Sequence, residues 1–561
     1  MTDESLVEWR EWGPEAFAEA EERDAPLLVF LTAPWCTWCA QMEREGFGSP
    51  MIAANVREGF VPVRVDADRL PAVRERYQMG GFPSTVFLTP DGRLISGATY
   101  LDPEALRSVV ERVREAYDDR GTDAGRIPRA LRDPDPPRGD LDSRVEAHMA
   151  GQLEVAFDEE HAGWGTDAKF PLPRTVEFAL KRDRSRALRT LDAVATHLAD
   201  PDGGFYRYAT TRNWADPHHE RLLDENAALV RAFANAYLHT GEERYRDVAD
   251  DAIDFLTTTL WVDADDGATD PEERADADDA PTGAFAGSQA GEEAYFEHPL
   301  EERGAAPHVD ETVFADRNGL AVDALLTYHA YTDDETARTY ATAALDTLLG
   351  RVEADGTVAH FEGGPTGLLG DQARLLRALT TATQVLGDDR YRTAATRVAD
   401  RTVETLFVDG TVLDRPPEDD ALGLLDRPLR PIDTTVELAE ALTDLSVLSG
   451  EERYRDVARE SLAAFADARD RMGVDVASYA SATARLVDRP LTVEVSGVAG
   501  SDLHRAALRI ADHEKVVVPD ADLPEAVESS GSETVARVTL GAESATARTP
   551  EELQRRVSEL N

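Results

Sequence analysis

The chain has 561 residues, 59 basic and 109 acidic, for a formal charge of -50. That length allows about two to four domains with substantial cores, and the acid excess argues against nucleic-acid binding, which needs clustered Arg or Lys facing phosphate. Only Lys169, Lys181 and Lys515 are lysines, and acid is spread over every segment, though Asp263 to Asp279 is locally dense; this composition suits concentrated salt, which screens the self-repulsion of a highly charged chain.

No apolar run is long enough to span a bilayer, and Met1 to Arg10 is polar and acidic rather than a signal peptide, so a cytoplasmic protein with no membrane partner is expected. In that reducing setting a lone cysteine pair is more often redox-active than a structural staple.

Residues 1–118 read as one α/β domain. Pro14 to Arg23 is helical, Pro26 to Leu31 a buried strand, Cys36 to Glu45 a helix, Phe60 to Val65 a strand, Leu70 to Tyr77 a helix, and Ser84 to Leu88 a β-rich run. A turn at Thr89-Pro90-Asp91-Gly92 leads to a strand near Leu94 to Ser96, and Asp102 caps a final helix to Tyr117. Both cysteines, Cys36 and Cys39, lie where the first buried strand turns into a helix. Unpaired N–H groups and the positive helix end favour thiolate there, the nucleophile of disulfide exchange. A zinc site is set aside, because there is no third cysteine and no histidine before His148. Neither metal nor cofactor is expected. Trp38 reads equally as a core aromatic or a substrate-facing one.

Residues 119–140 are rich in Asp, Arg, Pro and Gly without hydrophobic period, as a linker is. Residues 141–488 are mostly helical. Gly241-Glu242-Glu243-Arg244-Tyr245-Arg246-Asp247-Val248-Ala249 recurs unchanged at Gly450 to Ala458, with weaker copies at Gly387 and Asp333. Each copy joins two amphipathic helices into a hairpin. With Arg174 to Ala199 this makes five hairpins, and Asp142 to Asp158 with Asp475 to Val487 supplies a sixth. Six hairpins close into an (α/α)6 toroid, with an open solenoid as the alternative; unequal spacing and long inserts favour the toroid. The inserts carry Asp202-Gly203, Gly283-Ala284-Phe285, Asp355-Gly356 and Asp409-Gly410, placing loops at one end, where aromatics and carboxylates suit a sugar. Residues 489–561 alternate β-rich runs with helices, as a small α/β closing domain.

The N-terminal unit resembles the thioredoxin fold through Trp35-Cys36-Thr37-Trp38-Cys39 after the first core strand and Phe82-Pro83 before the next. The resemblance implies a cis Pro83 walling the substrate groove beside Cys36 and Cys39. It also implies that the buried aspartate of thioredoxins is Phe30 here, so protons to and from Cys39 need another carrier.

The order of motifs along nearly the whole chain resembles the thioredoxin-domain family related to spermatogenesis-associated protein 20 (YyaL or DUF255), in a halophilic archaeal-type version. The matching stretches include Cys36 to Met42, Val65-Asp66, Gly80 to Gly92, Phe157 to Gly165, Lys169-Phe170-Pro171, Gly203 to Tyr208, Pro217 to Glu220 and Asn318-Gly319. The resemblance implies a thioredoxin-like domain fused to a glycosidase-like or epimerase-like toroid with no established substrate. Thr37 and Ala40 stand where the family usually has histidines, and Arg317 where it has tryptophan.

Candidate toroid residues are Trp164, Lys169, Tyr206, Arg207, His218, Glu220, Asp224, Asp310, Asn318 and His360. His218 and Glu220 read as a general acid and base or as a capping cluster at a helix start, and Asp158 to His161 as metal-competent groups or a solvated helix end. Two functions follow: a dithiol–disulfide oxidoreductase acting on a protein disulfide client, or a carbohydrate-active toroid taking a small sugar with an accessory thioredoxin domain. A non-catalytic scaffold is a third.

Overall fold

A computed structural model describes residues 5–132, 135–264, 281–418, 420–523 and 534–560. The acid-dense run falls largely outside them, from 265 to 280.

The N-terminal unit is a five-stranded sheet in the order β1-β3-β2-β4-β5, built from β1 (Arg10–Glu11), β2 (Leu27–Thr32), β3 (Val61–Asp66), β4 (Ser84–Leu88) and β5 (Leu94–Ala98). The first three run parallel and the last two antiparallel, with Val29 level with both Val63 and Val86. Strand β2 is apolar along its length because both faces are covered. Leu28 and Phe30 point to α3 (Pro50–Gly59) and α5 (Pro103–Arg120), while Leu27, Val29 and Leu31 point to α1 (Pro14–Arg23) and α4 (Pro71–Tyr77). Helix α2 (Thr37–Met42) carries the cysteines and runs on through a π-helical turn, Glu43–Phe47. Helix α3, which begins at Pro50, and strand β1 are additional to the sequence reading; β1 has two residues, too few for a period.

The segment expected to be a linker lies against both neighbours. Arg126 pairs with Leu94 beyond the sheet edge, Leu131 is buried, and Arg138 donates to the Asp409 and Gly410 carbonyls at 3.0 and 2.7 Å.

The central helices are α6 (Arg144–Ala156), α7 (Pro173–Arg182), α8 (Arg184–His197), α9 (Leu223–Thr240), α10 (Glu243–Thr258), α11 (Ala315–Thr332), α12 (Glu335–Leu349), α13 (Leu369–Leu386), α14 (Asp389–Leu406), α15 (Ile432–Ser449), α16 (Glu452–Ala463) and α17 (Ala477–Asp488). The inner ring runs α7, α9, α11, α13, α15, α17, and α17 packs back on α7, so the ring closes. The ring is the expected six-hairpin toroid, and the open solenoid is set aside. Inner helices are buried around most of their surface, as in α11, where Ala321 to Leu326 are all buried; outer helices bury one stripe. At the hairpin turns Gly241, Gly387 and Gly450 take φ of 67, 67 and 73°, where a side chain is strained. The next helix buries Tyr245, Tyr391 or Tyr454 under Arg244, Arg390 or Arg453 at 4.5, 4.5 and 4.4 Å, which is why the repeat keeps Arg-Tyr.

The bore is filled by ion pairs. Arg231 meets Glu177 and Asp323 at 3.4 Å each, Arg377 meets Asp323 at 3.4 and Glu440 at 2.8 Å, and Arg485 pairs with Asp444. At the C-terminal ends of the inner helices sits a four-stranded sheet built from β6 (Thr492–Val495), β7 (Val516–Val518), β8 (Ala536–Leu540) and β9 (Glu543–Ala547), ordered β7-β6-β8-β9. Val517 N donates to Gln384 Oε1 at 2.9 Å and His504 Nε2 to Gln384 O at 2.8 Å. The thioredoxin-like unit covers the opposite end. Arg76 donates to Leu424 O at 2.9 Å and pairs with Asp414 at 2.7 Å. Gly92 is in the left-handed region at φ 79°, and a Cβ there would lie 2.2 Å from Gly423 Cα, so this turn admits only glycine. Among the described residues no helix is long and apolar enough to cross a membrane.

Candidate functional site

Strand β2 ends at Thr32, and the next turn brings Cys36 to the N-cap of α2, where its Sγ accepts from Cys39 N at 3.1 Å. Cys36 and Cys39 form a disulfide with Cα atoms 5.3 Å apart, and both are buried, at 5 and 1% exposure. The Phe82–Pro83 bond is cis. Phe82 meets Trp35 edge-on at 5.5 Å. Phe30 packs against Trp9 and Phe47, so no carboxylate comes from that position. Trp38 is exposed and edge-on to Tyr100.

Trp35 ties the dithiol to the toroid. Its Nε1 donates to Asp68 Oδ2 at 2.7 Å, and Asp68 Oδ1 meets Arg317 Nη2 of α11 at 2.5 Å. The Asp68 carbonyl accepts from His360 Nε2 at 2.8 Å. Asp68 is held in place after β3 by its own N–H, which donates to Asp66 Oδ1 at 3.0 Å. Burial, then the charge of Asp68, pushes Asp66 up to about 6. From the toroid, Arg207 lies over the Trp35 ring at 4.7 Å, and Leu222 joins the apolar cluster containing Trp35, Cys36 and Cys39. The dithiol therefore faces the toroid mouth.

That mouth is ringed by the first turns of the inner helices, which carry Asp224 and Glu225 on α9, Asp316 and Arg317 on α11, and Asp371 on α13. Carboxylates suit helix N-termini because the dipole and unpaired N–H groups favour negative charge. Yet buried oxygens of Glu220, Asp224, Glu225, Asp310, Asp316 and Asp371 have no hydrogen-bond partner among the described residues. Arg374 answers part of this charge, reaching Asp316 at 3.0 Å and Glu437 at 2.8 Å. His360 is brought in by its insert, whose carbonyl accepts from Ala315 N at 2.7 Å; its Nδ1 lies 2.8 Å from Asp371 Oδ1. Burial alone would lower its pKa, but Asp371 and then Asp316 outweigh that and raise it to about 9. Burial raises Glu225 to about 8, against the pull of Arg207. Between the two units lies a cavity of about 260 Å³, lined by Asp316, His360, Asp371, Arg374 and Asp433 from the toroid and by Arg74 and Glu75 from α4.

The residues named from sequence divide. Arg207, Glu220, Asp224 and His360 gather at the mouth. His218 is 3.5 Å from Glu220 and stacks on Tyr208, which stacks on Phe170. Asp310 accepts from Thr312 Oγ1 at 2.8 Å. Four others serve the framework. Trp164 is 3% exposed and donates to Leu153 O at 3.1 Å, leaving no ring face for a sugar. Lys169 is fully buried on Asp158 at 3.0 Å, with Arg212 on the same carboxylate. Tyr206 is hydrogen-bonded to Asp200, itself held by Arg303. Asn318 clamps Phe285 through both backbone groups, at 2.8 and 2.9 Å. Asn226 grips Phe205 in the same way, and Gln372 accepts from Val358 N and donates to Gly356 O, so an amide at this position seats each of the three inserts.

Sequence reasoning missed Asp66, Asp68, Glu225, Asp316, Arg317, Asp371 and Arg374 as site residues. One signal was available: counting back from the amides Asn226, Asn318 and Gln372 puts Glu225, Arg317 and Asp371 at one shared position.

Geometry thus defines a thioredoxin-like domain seated on the mouth of a six-hairpin toroid. Residues 2–131 match the family model Thioredox_DsbH, a protein of unknown function, DUF255. The chain is 31% identical over 314 residues to human spermatogenesis-associated protein 20, an alignment that covers 47% of this chain and 39% of the relative. The chain spans about two fifths of the length of the mammalian relatives it matches. Among solved structures it is similar to a sugar epimerase from a ruminal bacterium, at 12% identity and TM-score 0.44 over 57% of this chain and 84% of that one. It is similar also to cellobiose 2-epimerase from Spirochaeta thermophila, at 16% identity and TM-score 0.42 over 56% of this chain and 83% of that one.

Proposed function

We propose that the protein is a dithiol–disulfide oxidoreductase whose client reaches the dithiol from the toroid mouth. The observation that carries this is the chain of contacts Trp35–Asp68–Arg317, which holds the residue next to Cys36 against an inner helix. In the reducing direction the Cys36 thiolate attacks a client disulfide and expels one client thiolate. Cys39 then attacks Cys36, which releases the second client sulfur and closes the Cys36–Cys39 disulfide. An external thiol reductant restores the pair. Cys39→Ser stops this sequence at the mixed disulfide, so the variant should capture a client from extract that Cys36→Ser does not. Equal capture by both, or Cys36 alkylating with the pH profile of free cysteine, would remove the reading.

A second reading, sugar chemistry at the mouth, is favoured by Glu225, a carboxyl that burial raises to about 8 and so able to serve as a general acid. The aromatic face for a sugar ring is then Phe170, Tyr208 and His218 rather than the internal Trp164 and Tyr206. Thermal stabilisation by one member of a sugar panel, lost in Glu225→Gln, is the expected result; no stabilisation by any sugar counts against it.

A further inference from the structure

We propose that Asp316, His360 and Asp371 form a binding site for a first-row divalent cation of the manganese-to-zinc series, beside Asp68. The inference is independent of the redox reading. One ligand atom from each of the three residues lies within 4.8 Å of the other two, and all three residues line the cavity between the units. Small rotations bring such atoms to the ~2.1 Å that nitrogen and carboxylate ligands adopt.

Two observations favour a cation over a simple charge cluster. First, the site holds unmet acceptors. Asp371 is 1% exposed, and its Oδ2 has no partner, while Oδ1 already takes His360 Nδ1 and the Asp316 N–H. Asp316 gives Oδ2 to Arg374, but its buried Oδ1 accepts no hydrogen bond from the described residues and lies 3.8 Å from His360 Nδ1. Buried oxygens without a donor cost stability, and a cation between them would satisfy both. Second, the histidine is oriented as metal-bound histidines are. Its Nε2–H donates to the Asp68 carbonyl at 2.8 Å, which leaves Nδ1 to give up its proton and ligate. One nitrogen and two carboxylates suit manganese, iron, cobalt or zinc better than calcium. Three protein ligands leave a position open toward the cavity. Because Asp68 also holds Trp35, the cation would sit one residue's breadth from the dithiol's own support.

The test uses the full chain in its disulfide form, so that no thiol can chelate, with excess magnesium to occupy the acidic surface. Calorimetric titration with manganese and with zinc should show one saturable equivalent, weakened at least about tenfold in His360→Gln and in Asp371→Asn. No saturable equivalent in the wild type, or unchanged affinity in both variants, overturns the proposal. Should a variant fail to fold, cobalt(II) on the wild type decides: a visible spectrum of nitrogen ligation supports the site, and that of the aqueous ion at saturation overturns it.

Discussion

Arg317 Nη2 lies 2.5 Å from Asp68 Oδ1, with side chains 7 and 2% exposed, so a fully buried ion pair joins the thioredoxin-like unit to an inner helix. The Arg317 guanidinium neutralises the carboxylate that also accepts from Trp35.

Asp68→Asn keeps the shape and removes the charge. It leaves the buried Arg317 without its ion-pair partner, with the Gly287 carbonyl still accepting from Nη1, which should cost about 3–5 kcal/mol. Denaturant unfolding at fixed salt measures this; a loss below about 1 kcal/mol, the range of exposed pairs, would show that the bridge is solvated.

The seam also governs access to the dithiol. Cys36 is 5% exposed with Arg207 over Trp35. In the reduced protein a small alkylating reagent should outpace a bulky one by far more than on free cysteine, and Asp68→Asn should speed the bulky reagent at least about tenfold, the factor that about 1.4 kcal/mol of opening supplies. Equal rates for both reagents on the wild type would mean that the toroid does not cover the thiols.

Much of this architecture was legible because it is local. Two cysteines two residues apart, a Phe-Pro before a strand, and a nine-residue repeat between helical periods each state their element within a dozen positions. The site was not. Asp68 and His360 are 292 positions apart, and Arg76 and Asp414 are 338 apart, so no period or motif links them. Trp164, Lys169, Tyr206 and Asn318 were misjudged for the converse reason. A lone lysine in an arginine-rich chain, or an amide at a helix start, looks functional in sequence, but burial against Asp158 or Phe285 gives each a structural partner.

Asn318→Ala removes three hydrogen bonds, to Phe285 N, Phe285 O and Phe314 O, all in the interior. Each group left unpaired costs about 1–3 kcal/mol, so a loss of at least about 3 kcal/mol is expected. Asn318→Asp should fall between, keeping the acceptor for Phe285 N and losing both donors. Equal stability of the two variants would show that the acceptor contributes nothing.

Glu225 gives a pH signature at the mouth. Its folded pKa, about 8, is above the ordinary 4.5, so the folded state holds a proton that the unfolded state has released. Stability should therefore fall as pH rises from 4.5 toward 8 and level off beyond. About a third of the side chain, 34%, remains accessible, which keeps the loss well short of the full value. Glu225→Gln should flatten this limb of the Tm profile, and an unchanged profile would place the carboxyl in bulk-like solvent.

The other end of the toroid carries the opposite slope. His239 Nδ1 accepts from Arg184 at 3.3 Å, so its Nε2 bears the hydrogen donated to His513 Nδ1 at 2.8 Å. That arrangement requires both rings to be neutral. Burial, then Arg184, lowers His239 to about 4; burial lowers His513 to about 3, with His239 adding to the shift against Glu514 and Asp512, while Lys181, Lys515 and Arg231 also stand nearby. The folded pKa values lie below the ordinary 6.5, so the unfolded chain binds protons first as pH falls. Stability from this pair is present above 6.5 and is lost on acidification through the window from 6.5 to about 4. Each histidine adds up to about 1.4 kcal/mol per pH unit to the slope. His239→Gln can still accept from Arg184 and donate to His513, so it should leave neutral-pH stability nearly unchanged and remove one proton's worth of that slope. Unfolding midpoints of the variant and wild type across this window, at one salt concentration, give the comparison: parallel curves would mean that His239 is protonated in the folded protein and that the C-terminal sheet is docked by other contacts.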